Sequence, residues 1–509
     1  MITNILEYLE QTVAWLPGKR AFWDEHTSVT FGQLHQDARA IGSYLLRRGI
    51  RREPVAVLMP RCPRSVAAFL GAVYAGDYYV PLDETLPKQR LMALLEKVSP
   101  KVILCDEETA PLLSGTPFAS ARVSYDDAAQ ETLCEAALAM VRSRQVDTDP
   151  VYVVFTSGSA GTPKGVMGCH RGVIGYIEHL GALLRCDSNT VFGCHTPFYS
   201  DACLKEMMCT MKYGASTCLI PKEKLLFPVQ LVKYLNREGV NTLCWLPSAL
   251  SMVSSLGTFE KILPEHVHTV TFSGEVFPTA QLNLWQSALP KARFLNLYGP
   301  TETTGVCCYY EVTRRLNPGE QIPIGRPFPN ASILLLGENG QDVPAGTAGE
   351  ICIRGSCLTL GYFRDPESTA AVFVQNPRNP DFPEKIYRTG DLGRYNHRGE
   401  LEFLGRTDGE VKLQGHRVQL GDVEKIAAGC EGVQTVCCLL SAGSGRLHLY
   451  YTGECSPRDL ILNMKQQVPR YMLPHGCFRL KVMPMTPGGK IDKGQISVIM
   501  AKKEAQTAS

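Results

Sequence analysis

Between residues 151 and 165 a β-rich run, Val151 to Phe155, opens into Thr156, Ser157, Gly158, Ser159, Ala160, Gly161, Thr162 and Pro163 before Lys164. Glycines let successive backbone N–H groups turn toward one centre, hydroxyls add donors and the lysine adds charge, a composition suited to a polyphosphate. The spacing does not match a P-loop, and a solvated Ser/Gly turn is the plain alternative. Three other places carry groups able to do chemistry. Lys490 follows Gly488 and Gly489, where the plain reading is one lysine in a Gly-rich surface loop. Glu302 follows Gly299, Pro300 and Thr301; it can be a hard oxygen ligand for Mg²⁺ or simply an acid opening a helix. Asp391 follows Thr389 and Gly390, where it can accept from a pair of hydroxyls or cap a turn. Sulfur-based metal binding is disfavoured, because the 19 cysteines include no C-x-x-C and neither Cys169-His170 nor Cys194-His195 has a second half-site. Most of these thiols read as small buried hydrophobes in a reducing compartment.

The elements that must position these groups alternate. Pro54–Met59 reads as a buried strand, Ser65–Ala75 as a helix closed by Gly76, and residues 101–105, 190–193, 217–220 and 269–272 repeat the strand theme with helical patterns between. Strands spaced by helices imply βαβ units and largely parallel sheets, hence an α/β fold. After about residue 330 the strands Ser332–Leu336, Gly349–Arg354 and Gly399–Phe403 are separated by Gly- and Asn-rich turns, which predicts a small antiparallel or barrel-like section. The 509 residues suffice for two or more domains. The expected division is a large N-terminal domain over 1–407 and a small α+β domain over 408–509. A net charge of +2 gives no reason to expect a nucleic-acid partner. No apolar run approaches the roughly 18 residues that span a bilayer. Glu7 and Glu10 stand where a signal peptide carries bases, and the final residues hold no lipidation box. A cytoplasmic protein without a membrane partner is the expectation.

The phosphate loop resembles the signature of the adenylate-forming superfamily, which includes acyl-CoA synthetases, luciferases and the adenylation domains of non-ribosomal peptide synthetases. Other segments match in that superfamily's order and spacing. Asn296-Leu297-Tyr298-Gly299-Pro300-Thr301-Glu302 resembles the nucleotide motif, Tyr387 to Asp391 the ribose motif, and Gly405-Arg406-Thr407-Asp408 the hinge. Val411 to Glu424 resembles the strand-turn-helix beyond the hinge, and Pro487 to Lys493 the C-terminal catalytic loop. The resemblance covers essentially the whole chain. It implies ATP and Mg²⁺ as cofactors. Thr156, Ser157, Gly158, Ser159, Gly161, Lys164, Asn296, Tyr298, Gly299, Thr301, Asp391, Arg406 and Lys490 would hold the nucleotide. Lys490, Glu302 and Thr301 would form the catalytic set, with Glu302 also the metal ligand. Asp408 would be the hinge of a mobile C-terminal domain that alternates between two arrangements.

His195 to Met208 resembles the segment with which amino-acid-activating members present an aspartate to the substrate's α-ammonium. Asp201 falls at that place, although Tyr199-Ser200 precede it where those members have a lone phenylalanine. An acid without an amine would leave this carboxylate buried and unpaired at roughly several kcal/mol, so an amino-acid substrate is expected. The family's layout puts Asp201, Ala202, Lys205, Cys244, Thr271, Ser273, Leu297, Gly305 and Val306 around the substrate. Lys205 there matches an acidic side chain, glutamate or aspartate; the plain alternative is an i,i+4 ion pair with Asp201 worth about 0.2–0.5 kcal/mol. No aromatic wall is present, which disfavours Trp, Tyr and Phe. Phe272 to Pro278 is similar to D-alanine:carrier-protein ligases, so D-alanine or another small amino acid ranks second. The 19 residues after Lys490 hold no carrier-attachment motif, and no condensation domain precedes the start. The expectation is therefore a stand-alone amino acid–carrier protein ligase. It would form an aminoacyl-adenylate and pass the acyl group to the phosphopantetheine thiol of a carrier protein in trans, with coenzyme A the alternative acceptor. The rival activity is an acyl- or aryl-CoA synthetase. A non-catalytic binding protein is disfavoured because Lys490, Glu302 and Asp391 are all present.

Overall fold

Pro54–Leu58, Tyr78–Pro81 and Val102–Cys105 are buried along their whole length, as strands covered on both faces must be. In the computed structural model, which describes residues 2–156, 163–317, 319–407, 410–413, 415–441, 445–486 and 491–507, they pair in parallel. With Arg122–Ser124, Pro150–Thr156 and Lys164–Cys169 they form a six-stranded sheet. A nine-stranded sheet has a parallel centre of Arg293–Tyr298, Thr269–Ser273, Thr242–Trp245, Val191–Cys194, Ser216–Leu219 and Arg20–Trp23 in that spatial order. Its edge strands, Cys308–Glu311, Arg326–Pro327 and Ser28–Thr30, are antiparallel. Beyond residue 330 the expected antiparallel section is a curled five-stranded sheet built from Ala331–Leu336, Gly349–Gly355, Phe373–Gln375, Lys385–Tyr395 and Leu401–Arg406. Gly399 stands in a turn with φ +71° rather than in the last of these strands.

The chain divides into two compact units. The first comprises Met1–Glu84, Val98–Phe155 and Gly165–Arg406; the second comprises Thr85–Lys97, Thr156–Lys164 and Thr407–Ser509. Within the second, Glu410–Leu413 and His416–Gln419 form a hairpin, and Val433–Leu440, Leu447–Gly453 and Gly476–Arg479 form a three-stranded sheet. Helices Leu420–Ala428 and Pro457–Lys465 bury Val423, Ala427, Leu460 and Met464 against it. Among the described residues no helix is long and apolar enough to cross a membrane, and no group of three or more His, Cys, Asp or Glu could hold a metal ion. All 19 cysteines are free thiols.

Helix packing in the first unit depends on small residues. Thr30 and Gln33 cap the Phe31–Arg47 helix reciprocally. It crosses the Pro63–Tyr74 helix where a Cβ on Gly71 would collide with Ile41, and one on Gly42 would stand 2.8 Å from Tyr74 Cβ.

The N-terminal helix, Leu6–Trp15, is tied down by His170, whose Nδ1 accepts from the Ile5 N–H at 3.1 Å. The ring is therefore neutral, with its proton on Nε2, which is buried without a partner among the described residues. Burial, then the Arg142 charge, pushes His170 down to about 3. Protonation thus favours the unfolded chain: the contribution is complete above the ordinary histidine value and is lost as pH falls toward 3. Between pH 7 and pH 5 the wild type is expected to lose about 2 kcal/mol through this ring. Urea unfolding of His170→Gln at both pH values checks it, since the variant should lose less than the wild type.

Candidate active site

Three neighbouring strands carry four of the residues assigned to the substrate. Cys244 pairs with Thr271, and Ser273 pairs with Leu297. Side chains opposite one another, and those two apart on one strand, share a face. Cys244, Thr271, Ser273 and Leu297 therefore line one face of the nine-stranded sheet at its C-terminal end. Burial, followed by the Glu206 charge, drives the Cys244 thiol's pKa well up.

Asp201 opens a 3₁₀ turn, Asp201–Cys203, which is capped by the Ser200 hydroxyl accepting from the Ala202 N–H at 3.3 Å. Only then does the Leu204–Tyr213 helix begin. The single-helix geometry needed for an i,i+4 pair is thus interrupted, and Lys205 makes no ion pair with Asp201. Lys205 is 3% exposed and has no salt bridge among the described residues. Beside it Glu206 is 1% exposed, with both carboxylate oxygens lacking a hydrogen-bond partner among the described residues. Burial pushes Glu206 up to about 7, opposed by the Lys205 and Arg61 charges. The Asp201 charge contributes to raising three buried phenols, Tyr79, Tyr152 and Tyr176, after burial itself.

The segment Tyr298 to Cys307 folds back on itself. Cys307 N–H donates to the Tyr298 carbonyl at 2.9 Å, and a Cβ on Gly299 would collide with the Gly305 carbonyl, so glycine is required by close backbone approach. Gly305 has φ +86° and Val306 is buried beside it. Thr301–Thr303 form a 3₁₀ turn in which Thr301 and Glu302 are buried. Glu302 Oε1 accepts from the Tyr362 hydroxyl at 2.8 Å, and its carbonyl accepts from the Thr359 N–H at 3.0 Å. Asn296 spends its amide donor on the Pro323 carbonyl, 2.8 Å away.

The ribose and hinge motifs meet on neighbouring strands. Asp391 on Lys385–Tyr395 pairs with Arg406 on Leu401–Arg406. Its Oδ1 lies 2.6 Å from Arg406 Nη1, and its Oδ2 accepts from the Tyr298 hydroxyl at 2.5 Å. The Asp391 and Arg406 side chains are only 7% and 11% exposed. Burial and the Asp391 charge raise the Tyr298 phenol, so it stays a proton donor. The result is one buried carboxylate held between a phenol and a guanidinium, three residues from three separate motifs.

In the second unit, Thr156 ends its strand with its hydroxyl donating to the Lys164 carbonyl at 3.4 Å, and Lys164 opens the next strand. Ser157, Gly158, Ser159, Gly161, Asp408 and Lys490 lie outside the described residues. Tyr362 and Tyr176 were not among the residues singled out from the sequence. Tyr362 reaches Glu302 across 60 positions and carries no local signal. Tyr176 sits in a helix whose apolar periodicity marks it as core.

The chain matches the AMP-binding enzyme family over residues 9–363. It is 30% identical over 496 residues to tyrocidine synthase 1 of Brevibacillus parabrevis, covering 96% of this chain but 44% of that protein. Its fold is similar to holo-PA1221, a nonribosomal peptide synthetase protein containing adenylation and PCP domains (TM-score 0.83, 26% identity, 97% of this chain and 84% of that one). It is also similar to AB3403, a four-domain nonribosomal peptide synthetase bound to AMP and glycine (TM-score 0.70, 29% identity, 96% and 36%). The chain spans less than half the length of tyrocidine synthase 1 and of AB3403. On the match over most of its own length it belongs to the AMP-binding enzyme family, with the fold of an adenylation domain.

Proposed function

We propose that this chain activates an amino acid. A carboxylate oxygen of the substrate attacks the α-phosphorus of ATP, the bond to the β-phosphate breaks and pyrophosphate leaves. The thiol sulfur of a phosphopantetheine then attacks the acyl carbon and AMP departs. We place that thiol on a carrier protein supplied in trans. The preferred substrate is an acidic amino acid, glutamate or aspartate, ahead of D-alanine or another small one. Lys205 carries this reading. A cation 3% exposed with no ion pair among the described residues is costly until an anion arrives, and a substrate carboxylate is the anion that fits. AB3403, with AMP and glycine bound, supports the pairing of a nucleotide with an amino acid.

In this reading Asp201 takes the α-ammonium, and Ala202, Lys205, Cys244, Thr271, Ser273, Leu297, Gly305 and Val306 surround the side chain. Asp391 accepts the ribose hydroxyls, with Arg406 and Tyr298 fixing its orientation. Glu302 is the group to hold Mg²⁺. The fit is chemical: one buried carboxylate braced by Tyr362, with no second acidic cluster among the described residues, matches a cation that takes most of its ligands from phosphate and water. When bound, the metal would offset phosphate charge. Thr156, Ser157, Gly158, Ser159, Gly161, Lys164 and Thr301 serve the phosphates, and Lys490 neutralises charge as the adenylate forms. Residues from 408 onward move about Asp408 between the two half-reactions. A reducing cytoplasm suits 19 free thiols.

The test is ATP–pyrophosphate exchange over the twenty amino acids with D-alanine and β-alanine, using the wild type and Lys205→Met. Glutamate or aspartate should lead with the wild type. The variant should lose about 10- to 100-fold on them and shift toward an apolar amino acid. Exchange with no amino acid, together with thioester formation from fatty or aryl acids, would replace this reading with an acyl-CoA synthetase.

A further inference from the structure

Tyr176, on the His170–Leu184 helix, is 1% exposed, and its hydroxyl has no hydrogen-bond partner among the described residues. A phenol buried in that state is destabilising, and native proteins seldom keep one without a water or a ligand to complete it. Its location points to the occupant. The ring lies against Gly305: a Cβ there would stand 2.9 Å from Cε1 and 3.4 Å from the hydroxyl oxygen. The groups that raise the phenol after burial are Cys209, Asp201, Cys244 and Glu206. Asp201 and Cys244 belong, with Gly305, to the proposed substrate cavity, and Lys205 acts on Cys244 as well. The helix therefore delivers a hydroxyl to the region where the Asp201 turn, the central strand and the Gly305 turn converge. Glycine at 305 is needed because the Tyr176 ring occupies the space a side chain would take.

We infer that Tyr176 is a specificity-determining residue whose hydroxyl hydrogen-bonds the polar end of the substrate side chain, beside Lys205. This rests on the amino-acid-activating reading above. A side-chain carboxylate suits these donors: the Lys205 ammonium supplies charge and the phenol supplies a directed donor. Alanine has no atom to reach either group. Glu206, mostly buried near the same phenol and pushed up to about 7, carries less negative charge against such a substrate than an ordinary glutamate would.

Tyr176→Phe removes one oxygen and leaves the ring against Gly305, and an unchanged urea midpoint verifies that the fold is kept. The readout is the ratio of kcat/KM for glutamate to kcat/KM for alanine in pyrophosphate exchange. It should fall about 10- to 100-fold, mostly through KM. An unchanged ratio would mean that a water completes the phenol, and the assignment is overturned. Should the wild type activate neither glutamate nor aspartate, the acidic-substrate reading fails independently. The ratio is then taken with the amino acid it does prefer: a selective loss there sustains Tyr176 as a side-chain contact, and no selective loss removes it.

Discussion

Asp201→Asn is expected to lower kcat/KM for the preferred amino acid by about 10²- to 10³-fold in pyrophosphate exchange, with ATP binding unaltered. The substitution keeps size and shape, and the Ser200 hydroxyl that caps the turn is untouched, so the local backbone survives. What disappears is the negative charge among three buried tyrosines whose hydroxyls it raises. A substrate ammonium brought into that environment without a counter-charge meets a desolvation cost and nothing to offset it. The loss falls on the binding of amine-bearing substrates alone. A carboxylic acid of the same skeleton lacking the amine should be used as well by the variant as by the wild type. Equal turnover of the amino acid by both proteins would remove Asp201 from the site and take the amino-acid reading with it.

Much of this arrangement was legible in the chain, and the reasons for the remainder are physical. Cys244, Thr271, Ser273 and Leu297 came from the family resemblance, and of their three strands only 269–272 was marked by its β-rich run; that the four share a face follows from strand alternation once the strands are parallel and adjacent. The turn at Asp201–Cys203 was not legible. A Ser-Asp-Ala-Cys sequence can begin a helix directly, and only the capping by Ser200 splits the segment into a 3₁₀ turn followed by a helix. The ion pair open to Asp201 and Lys205 on one continuous helix is consequently not formed. Tyr298 and Asp391 were each marked by their own motif, but their hydrogen bond spans 93 positions, and no periodicity encodes it. Tyr176 illustrates the general difficulty. Its place in an apolar helix makes it a core residue, and only the bare backbone of Gly305 against its ring brings it to a residue proposed for the substrate.

The buried triad of Tyr298, Asp391 and Arg406 makes a second large effect predictable, and one that separates structure from function. Asp391→Asn removes the carboxylate that lies 2.6 Å from the Arg406 guanidinium, whose side chain is 11% exposed. Breaking a buried pair from one side costs about 3–5 kcal/mol, so the urea midpoint should fall clearly. ATP use should fall too, by about 10²-fold or more in kcat/KM for ATP, because the carboxylate proposed to receive the ribose hydroxyls is gone. Lower stability alone could mimic that loss. Asp391→Asn combined with Arg406→Met distinguishes the two causes, since it deletes both charges and fills most of the volume with an apolar chain. Replacing a buried ion pair in this way is often close to neutral for stability. The double variant should therefore regain most of the lost midpoint while remaining as poor with ATP as the single variant. Recovery of ATP use alongside stability would show that Asp391 serves only to neutralise Arg406, and the ribose role would have to be given up.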